Sequence, residues 1–334
     1  MNPVPALFRI PHVRALFSLV RDGEACVRLH FLYAAMHAGV LQALPASKEA
    51  LVERLGVQRP ELLEALLDLG VAVKELSHRN GRYAIRGGRS RALVTEEGDP
   101  ALAMVEELLT YHADVYRQLA PRLKGAELGD YLDEHALLIA RSSRVLDPLV
   151  KSFVRSVVSP GRPVRMLEVG CGSGIYLRYA AEANPQLSGV AIDVQPDVVE
   201  RARENLRSWG VGDRFQVYVA DIRKPPPEVA GPFDLITLYN NVYYFAEEER
   251  LNLFRAFRSW LTPGGAFSMV SMFRGTTYMS ADLDLALRCT AGCTALPTLD
   301  RVRAQLREAG FAPATTKKLM PVEPFYGLVA RPSG

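Results

Sequence analysis

LEVGCGSG, Leu167 to Gly174, closes an apolar run that starts at Val164 and opens an amphipathic segment at Ile175. Gly170, Gly172 and Gly174 stand in a G-x-G-x-G pattern. At the carboxyl end of a strand such a loop lets the backbone approach a ligand just before a helix begins. Any tight strand-to-helix turn also favours glycine, so the neighbouring segments have to decide. Asp193 ends the next apolar segment, SGVAIDV, where a carboxylate can accept hydrogen bonds from both hydroxyls of a ribose. Asp221 ends FQVYVAD, where a second carboxylate can accept from an exocyclic adenine amine. A dinucleotide fingerprint is G-x-G-x-x-G with the pyrophosphate on the helix N-terminus, and here the third glycine comes one position early. Glu168 would repel a pyrophosphate but suits an ammonium group.

Outward from this loop, short apolar segments alternate with amphipathic ones. VRMLEVG, SGVAIDV, FQVYVAD, FDLITLY, GAFSMVSMF and the pair TTKKLM and GLVA read as strands. The fold class expected is therefore α/β, a Rossmann-like doubly wound seven-stranded domain over residues 158–334. Its fourth helix opens on Glu247, Glu248 and Glu249, which suit the positive end of the helix dipole, and is expected to end at Pro263-Gly264-Gly265.

The front of the chain is mostly helical. RLHFLYAAMHAGVLQAL, SKEALVERLG with a cap at Ser47 and a stop at Gly56, and RPELLEALLDLG with Gly70 after its end read as three helices. VAVKEL and GRYAI, joined through Asn80-Gly81, read as a hairpin. Three helices and a hairpin make a winged-helix pattern over residues 1–98. Residues 99–157 read as a helical linker, broken at KGAELGDY.

A chain of 334 residues can bury a sizeable core, and 49% hydrophobic with 23% charged residues is a globular composition. A net charge of +3 is too small to imply a nucleic-acid or membrane partner. The wing arginines Arg79, Arg82, Arg86, Arg89 and Arg91 read as a solvated face rather than a phosphate track. The N-terminal stretch lacks a continuous apolar leader core, and no segment approaches the roughly 18 apolar residues of a membrane span. Cys26, Cys171, Cys289 and Cys293 form no paired-ligand pattern, so a reducing cytoplasm is the expected setting and no metal is expected.

These motifs together resemble the class I S-adenosylmethionine-dependent methyltransferases over about Val164 to Arg331, including LTPGG before the fifth strand. The resemblance implies S-adenosylmethionine as cofactor and S-adenosylhomocysteine as product. Glu168, the three glycines, Tyr239 and Asn240 would hold the methionine end, Asp193 with Val194 the ribose, and Asp221 with Ile222 the adenine. With its helical front half, nearly the whole chain resembles the small-molecule O-methyltransferases of secondary metabolism. That similarity implies a homodimer built through the N-terminal domain, a small-molecule substrate, and no nucleic-acid partner. Base-directed amino-group relatives carry a D/N-P-P-Y motif, which YNNVYYF lacks.

One departure from that family matters for mechanism. Its hydroxyl-directed members carry a histidine base in N-x-L-H-D-W, and over NNVYYFAEEER that histidine falls on Tyr244. Tyrosine is a poor base at neutral pH but a good hydrogen-bond partner. His112, from the linker, is an alternative base. Asn241, Tyr243, Tyr116, Met279 and Cys289 are the expected substrate-facing residues. O-methylation follows from the family. N-, C- or S-methylation needs no histidine, and a winged-helix regulator that senses the cofactor is a reading from another class.

Overall fold

A computed structural model describes residues 11–158, 160–229 and 231–333, with residues 132 and 133 described in backbone only. The first ten residues, on which part of the leader reading falls, lie outside these. The chain divides into two units, residues 1–114 with 137–145, and residues 115–136 with 146–334. The helical stretch 99–157 is thus shared between them rather than standing as a third unit.

In the first unit, α1 (Val13–His37), α2 (Lys48–Leu55) and α3 (Pro60–Ala72) pack around Phe31, Leu32, Leu51 and Leu67. Ser47 caps α2 through its side chain, and Gly56 ends it in the left-handed region. Helix α3 does not stop at Gly70 but runs through it to Ala72. The missing side chain is used for packing, since a Cβ there would lie 2.6 Å from the Phe31 ring and 2.7 Å from Leu76. The hairpin consequently starts later than the apolar pattern suggests, with β1 (Leu76–Arg79) and β2 (Arg82–Ile85) pairing Leu76 with Ile85. Asn80 and Gly81 make its turn, both at positive φ. Short helix α4 (Gly88–Leu93) and helix α5 (Asp99–Glu107) follow, and a π-turn at Leu108–His112 interrupts what the periodicity presents as one long helix.

Helices α6 (Ala113–Arg117), α7 (Leu119–Arg122), α8 (Tyr131–Ser142) and α9 (Asp147–Val157) lead to the sheet. Its strands are β3 (Val164–Val169), β4 (Leu187–Asp193), β5 (Phe215–Val219), β6 (Phe233–Tyr239), β7 (Leu261–Met272), β8 (Thr315–Lys318) and β9 (Phe325–Ala330). The order is β5-β4-β3-β6-β7-β9-β8, parallel from β5 to β7 and antiparallel for β9 and β8. This is the expected doubly wound sheet. The order reverses between β3 and β6, which opens a crevice at the carboxyl ends of those strands. Helices α10 (Ile175–Ala183), α11 (Pro196–Ser208), α12 (Glu247–Trp260), α13 (Tyr278–Arg288) and α14 (Leu299–Glu308) complete the unit. Helix α12 ends at Trp260, and Pro263-Gly264-Gly265 belongs to β7, whose pairing with β6 shifts register there. Two apolar layers, one around Leu177, Val199 and Phe325 and one around Phe254, Phe257 and Phe267, sandwich the sheet.

Filling the Gly70 notch tests the packing of the first unit. Gly70→Ala should destabilise it by about 1–3 kcal/mol, the usual cost of overpacking, despite alanine's better helix propensity. Urea melts of the full chain read the difference.

Candidate active site

Strand β3 carries Glu168 into the sheet between Ala191 of β4 and Thr237 of β6. The carboxyl is 1% exposed, and Thr237 donates to its Oε2 at 3.4 Å. Its Oε1 is buried with no hydrogen-bond partner among the described residues. Burial pushes its pKa up to about 8, with the Thr237 hydrogen bond opposing. One residue further on the chain turns. Gly170 is at φ +69, and a Cβ there would fall 2.2 Å from the Asn241 amide nitrogen. Asn241, expected on the substrate side, therefore lies against the glycine loop, donating to the Val169 carbonyl, and its own Oδ1 is buried without a donor. Two buried oxygens without a hydrogen-bond partner among the described residues thus flank one strand end, and the charged form of Glu168 leaves both as acceptors for a ligand's donors.

Asp193 closes β4 and accepts from the Gly172 N–H at 3.0 Å and the Gln195 N–H at 3.2 Å, which ties it to the glycine loop. Val194 beside it is an exposed apolar residue at 55%, free to lie against a ring. Asp221 sits two residues beyond the end of β5 rather than on it, because the strand stops at Val219. Its Oδ1 accepts from the backbone and side chain of Arg223, while Ile222 is buried beneath.

Strand β6 delivers Tyr239 into the core, where its hydroxyl pairs with the Ser268 hydroxyl at 3.0 Å. Its hydroxyl is thus engaged in the core, while its ring packs edge to face on Tyr176 at 5.4 Å. Asn240 turns outward at φ +56 and donates to the Tyr176 hydroxyl at 2.9 Å. Burial and the charges of Asp147 and Glu168 push Tyr176 well above the ordinary tyrosine range. Neither Tyr176 nor Asp147 was singled out from the sequence. The signal available for Tyr176 was its place in the first helical turn after the glycines.

A short 3-10 turn, Val242–Tyr244, brings the two aromatic candidates together edge to face, with ring centroids 4.9 Å apart. Tyr243 packs against both apolar layers, and Thr294 donates to its carbonyl through both N–H and hydroxyl. Tyr244, the expected pocket residue, packs on the layer of α12 and α14. Phe245 anchors the turn in that layer. Met279 and Cys289 lie on and just after α13, Cys289 buried at 5%. Tyr116 donates to Asp282 of α13, a hydrogen bond that pushes its pKa up to about 12. His112 belongs to the first unit, where it is buried beside Glu107 at 3.4 Å. Among the described residues, no group of three or more His, Cys, Asp or Glu is arranged to hold a metal ion.

Residues 166–265, within the second unit, match the family described as a methyltransferase domain. Over 209 residues the chain is 26% identical to the 27-O-demethylrifamycin SV methyltransferase of Amycolatopsis mediterranei, covering 61% of this chain and 73% of that enzyme. Other curated relatives are matched over about half of their length or less. Among solved structures, the mitomycin 7-O-methyltransferase superposes with a TM-score of 0.79 at 17% identity, covering 96% of this chain and 98% of that one. Human N-acetylserotonin methyltransferase, solved in complex with SAM, superposes with a TM-score of 0.71 at 18% identity over 98% and 99% of the two chains. At these identities the likeness to solved structures is one of fold.

Glu168 gives this site a pH signature. Its folded pKa of about 8 lies above the ordinary 4.5, so between these values the folded chain holds more proton than the unfolded chain. Its contribution is therefore intact below pH 4.5 and is lost as pH rises through about 8. Ligand-free Glu168→Gln should show a flatter decline of stability over that window in urea melts at stepped pH.

Proposed function

We propose that this chain transfers a methyl group from S-adenosylmethionine to a hydroxyl of a small aromatic or apolar molecule, working as a homodimer and releasing S-adenosylhomocysteine. The observation that carries the reading is the pair of buried acceptors without donors, Glu168 Oε1 and Asn241 Oδ1, beside an open glycine loop. An α-ammonium group supplies the donors they lack, with charge complementary to a carboxylate. Asp193 would take the ribose hydroxyls, Val194 and Ile222 the faces of the adenine, and Asp221 its amine. When bound, S-adenosylmethionine supplies an electrophilic methyl on a sulfonium. The chain's task is then to hold the acceptor in line and exclude water.

Tyr243 and Tyr244 form the wall nearest the acceptor in this reading, oriented by Thr294 and by the Phe245 anchor. The missing histidine selects for acceptors that need little help. A phenol or enol of low pKa fits the O-methyltransferase reading. A neutral amine, carbon or thiol nucleophile is the second reading, favoured by the same tyrosine pair. Support for the homodimer and its winged-helix N-terminal domain comes from α1, which exposes Leu16, Phe17, Leu19, Val20 and Val27 along its first turns. The names of two similar proteins, a 27-O-demethylrifamycin SV methyltransferase and a mitomycin 7-O-methyltransferase, support a role in secondary metabolism. No helix among the described residues is long and apolar enough to cross a membrane.

Two experiments test this. Calorimetry should show S-adenosylhomocysteine binding near pH 7 with release of up to about one proton as the ammonium draws Glu168 into its charged form. Glu168→Gln should abolish that release and weaken binding by ~2 kcal/mol or more, and Asp193→Ala should weaken it with proton release retained. Absence of binding would end the cofactor assignment. For the acceptor end, Tyr243→Phe, Tyr244→Phe and His112→Ala are compared by pH-rate profile on a panel of small phenols and amines. The residue that takes the proton should shift the acidic limb, and a variant with unchanged turnover and profile is removed from that role.

A further inference from the structure

Building on the assignment of Asp221 to the adenine amine, we propose that Arg223 couples the adenine end of the site to the 241–246 loop, so that cofactor binding orders the segment bearing Tyr243 and Tyr244. Arg223 reaches four points at once. Its backbone N–H and Nη1 donate to Asp221 Oδ1 at 2.9 and 3.4 Å. Nε donates to Glu249 Oε1 at 2.8 Å, and Nη2 donates to the Tyr244 carbonyl at 2.6 Å. The guanidinium carbon lies 4.8 Å from the centre of the Phe245 ring. Glu249 in turn uses its other oxygen to accept the Ala246 N–H at 2.6 Å, which starts α12.

An isolated ion pair at this exposure would contribute little. Here the planar fork is fixed by a carbonyl, a ring and two carboxylates, so its position is set by several partners and is not interchangeable with a lysine's point charge. Asp221 spends one oxygen, Oδ1, on Arg223, and its side chain is 42% exposed, which leaves Oδ2 accessible to a ligand's donor. A donor arriving at Oδ2 further restrains the carboxylate, and with it the guanidinium that this carboxylate helps to hold. The guanidinium holds the Tyr244 carbonyl and the Glu249 cap. The two ends of the site thereby share a free energy, and a ligand at one end alters the population of ordered loop at the other.

Hydrogen exchange of the full chain with S-adenosylhomocysteine as probe tests this coupling. In the wild type, saturating probe should slow exchange at the Tyr244, Phe245 and Ala246 amides by about five-fold or more. Arg223→Lys keeps the charge and loses the fork. It should still bind the probe in calorimetry but lose most of that slowing. A purely structural arginine would lower the melting temperature in this variant yet leave the probe-dependent slowing intact, and that result overturns the proposal. Should the lysine variant fail to fold, Glu249→Gln retains an oxygen for the Ala246 N–H while removing the ion pair. It should lose part of the slowing, and full retention there also overturns the coupling. Wild-type binding without slowing removes the coupling alone, whereas no binding at all removes the Asp221 assignment together with it.

Discussion

A carboxyl group buried in the middle of a parallel sheet, with one oxygen unpaired, is the constraint around which the second unit is arranged. Glu168 can occupy that position because β4 offers Ala191 on one side and β6 offers the hydroxyl-bearing Thr237 on the other. Burying an ionised carboxylate there would be costly, so the ligand-free chain keeps the proton. A cationic donor arriving beside Oε1 favours the charged form and offsets that cost, with release of the proton. Parallel strands end at the same edge, so the turns after β3, β4, β5 and β6 all lie along it. The glycine loop, Asp193, Asp221 and the 240–246 segment are consequences of that shared edge.

Much of this was legible along the chain because it is local. Glycines at a strand end, acids closing successive apolar segments and the Asn80-Gly81 turn depend on near neighbours and on period. What could not be read depends on partners far away in sequence. Gly70 looks like a helix stop until Phe31, from another helix, is seen to occupy the space its side chain would need. Tyr239 looks like a ligand-facing strand end until Ser268 of the next strand takes its hydroxyl. Arg223 reads as one more surface arginine, and only the turn after β6 gives it a purpose.

The placement of Asn240 and Asn241 shows the same limit at the site itself. Adjacent asparagines at a strand end can each be turn formers, ligand contacts or both. The positive φ of Asn240 sends the two side chains in different directions, one to Tyr176 and one to the glycine loop. The division of labour follows from a backbone torsion that composition does not encode.

The same field bears on the acceptor. Burial, with a smaller contribution from neighbouring carboxyls, pushes Tyr176 and Tyr239 upward, and in the proposed reaction a phenol desolvated to the same degree would be equally hard to ionise. A hydroxyl acceptor therefore has to lose its proton against that field, which a histidine would make easier and a tyrosine does not. An acceptor that arrives neutral and nucleophilic meets no such opposition, and an acidic phenol meets only part of it. In the proposed reaction a tyrosine at the histidine's position would therefore favour acceptors that need no base.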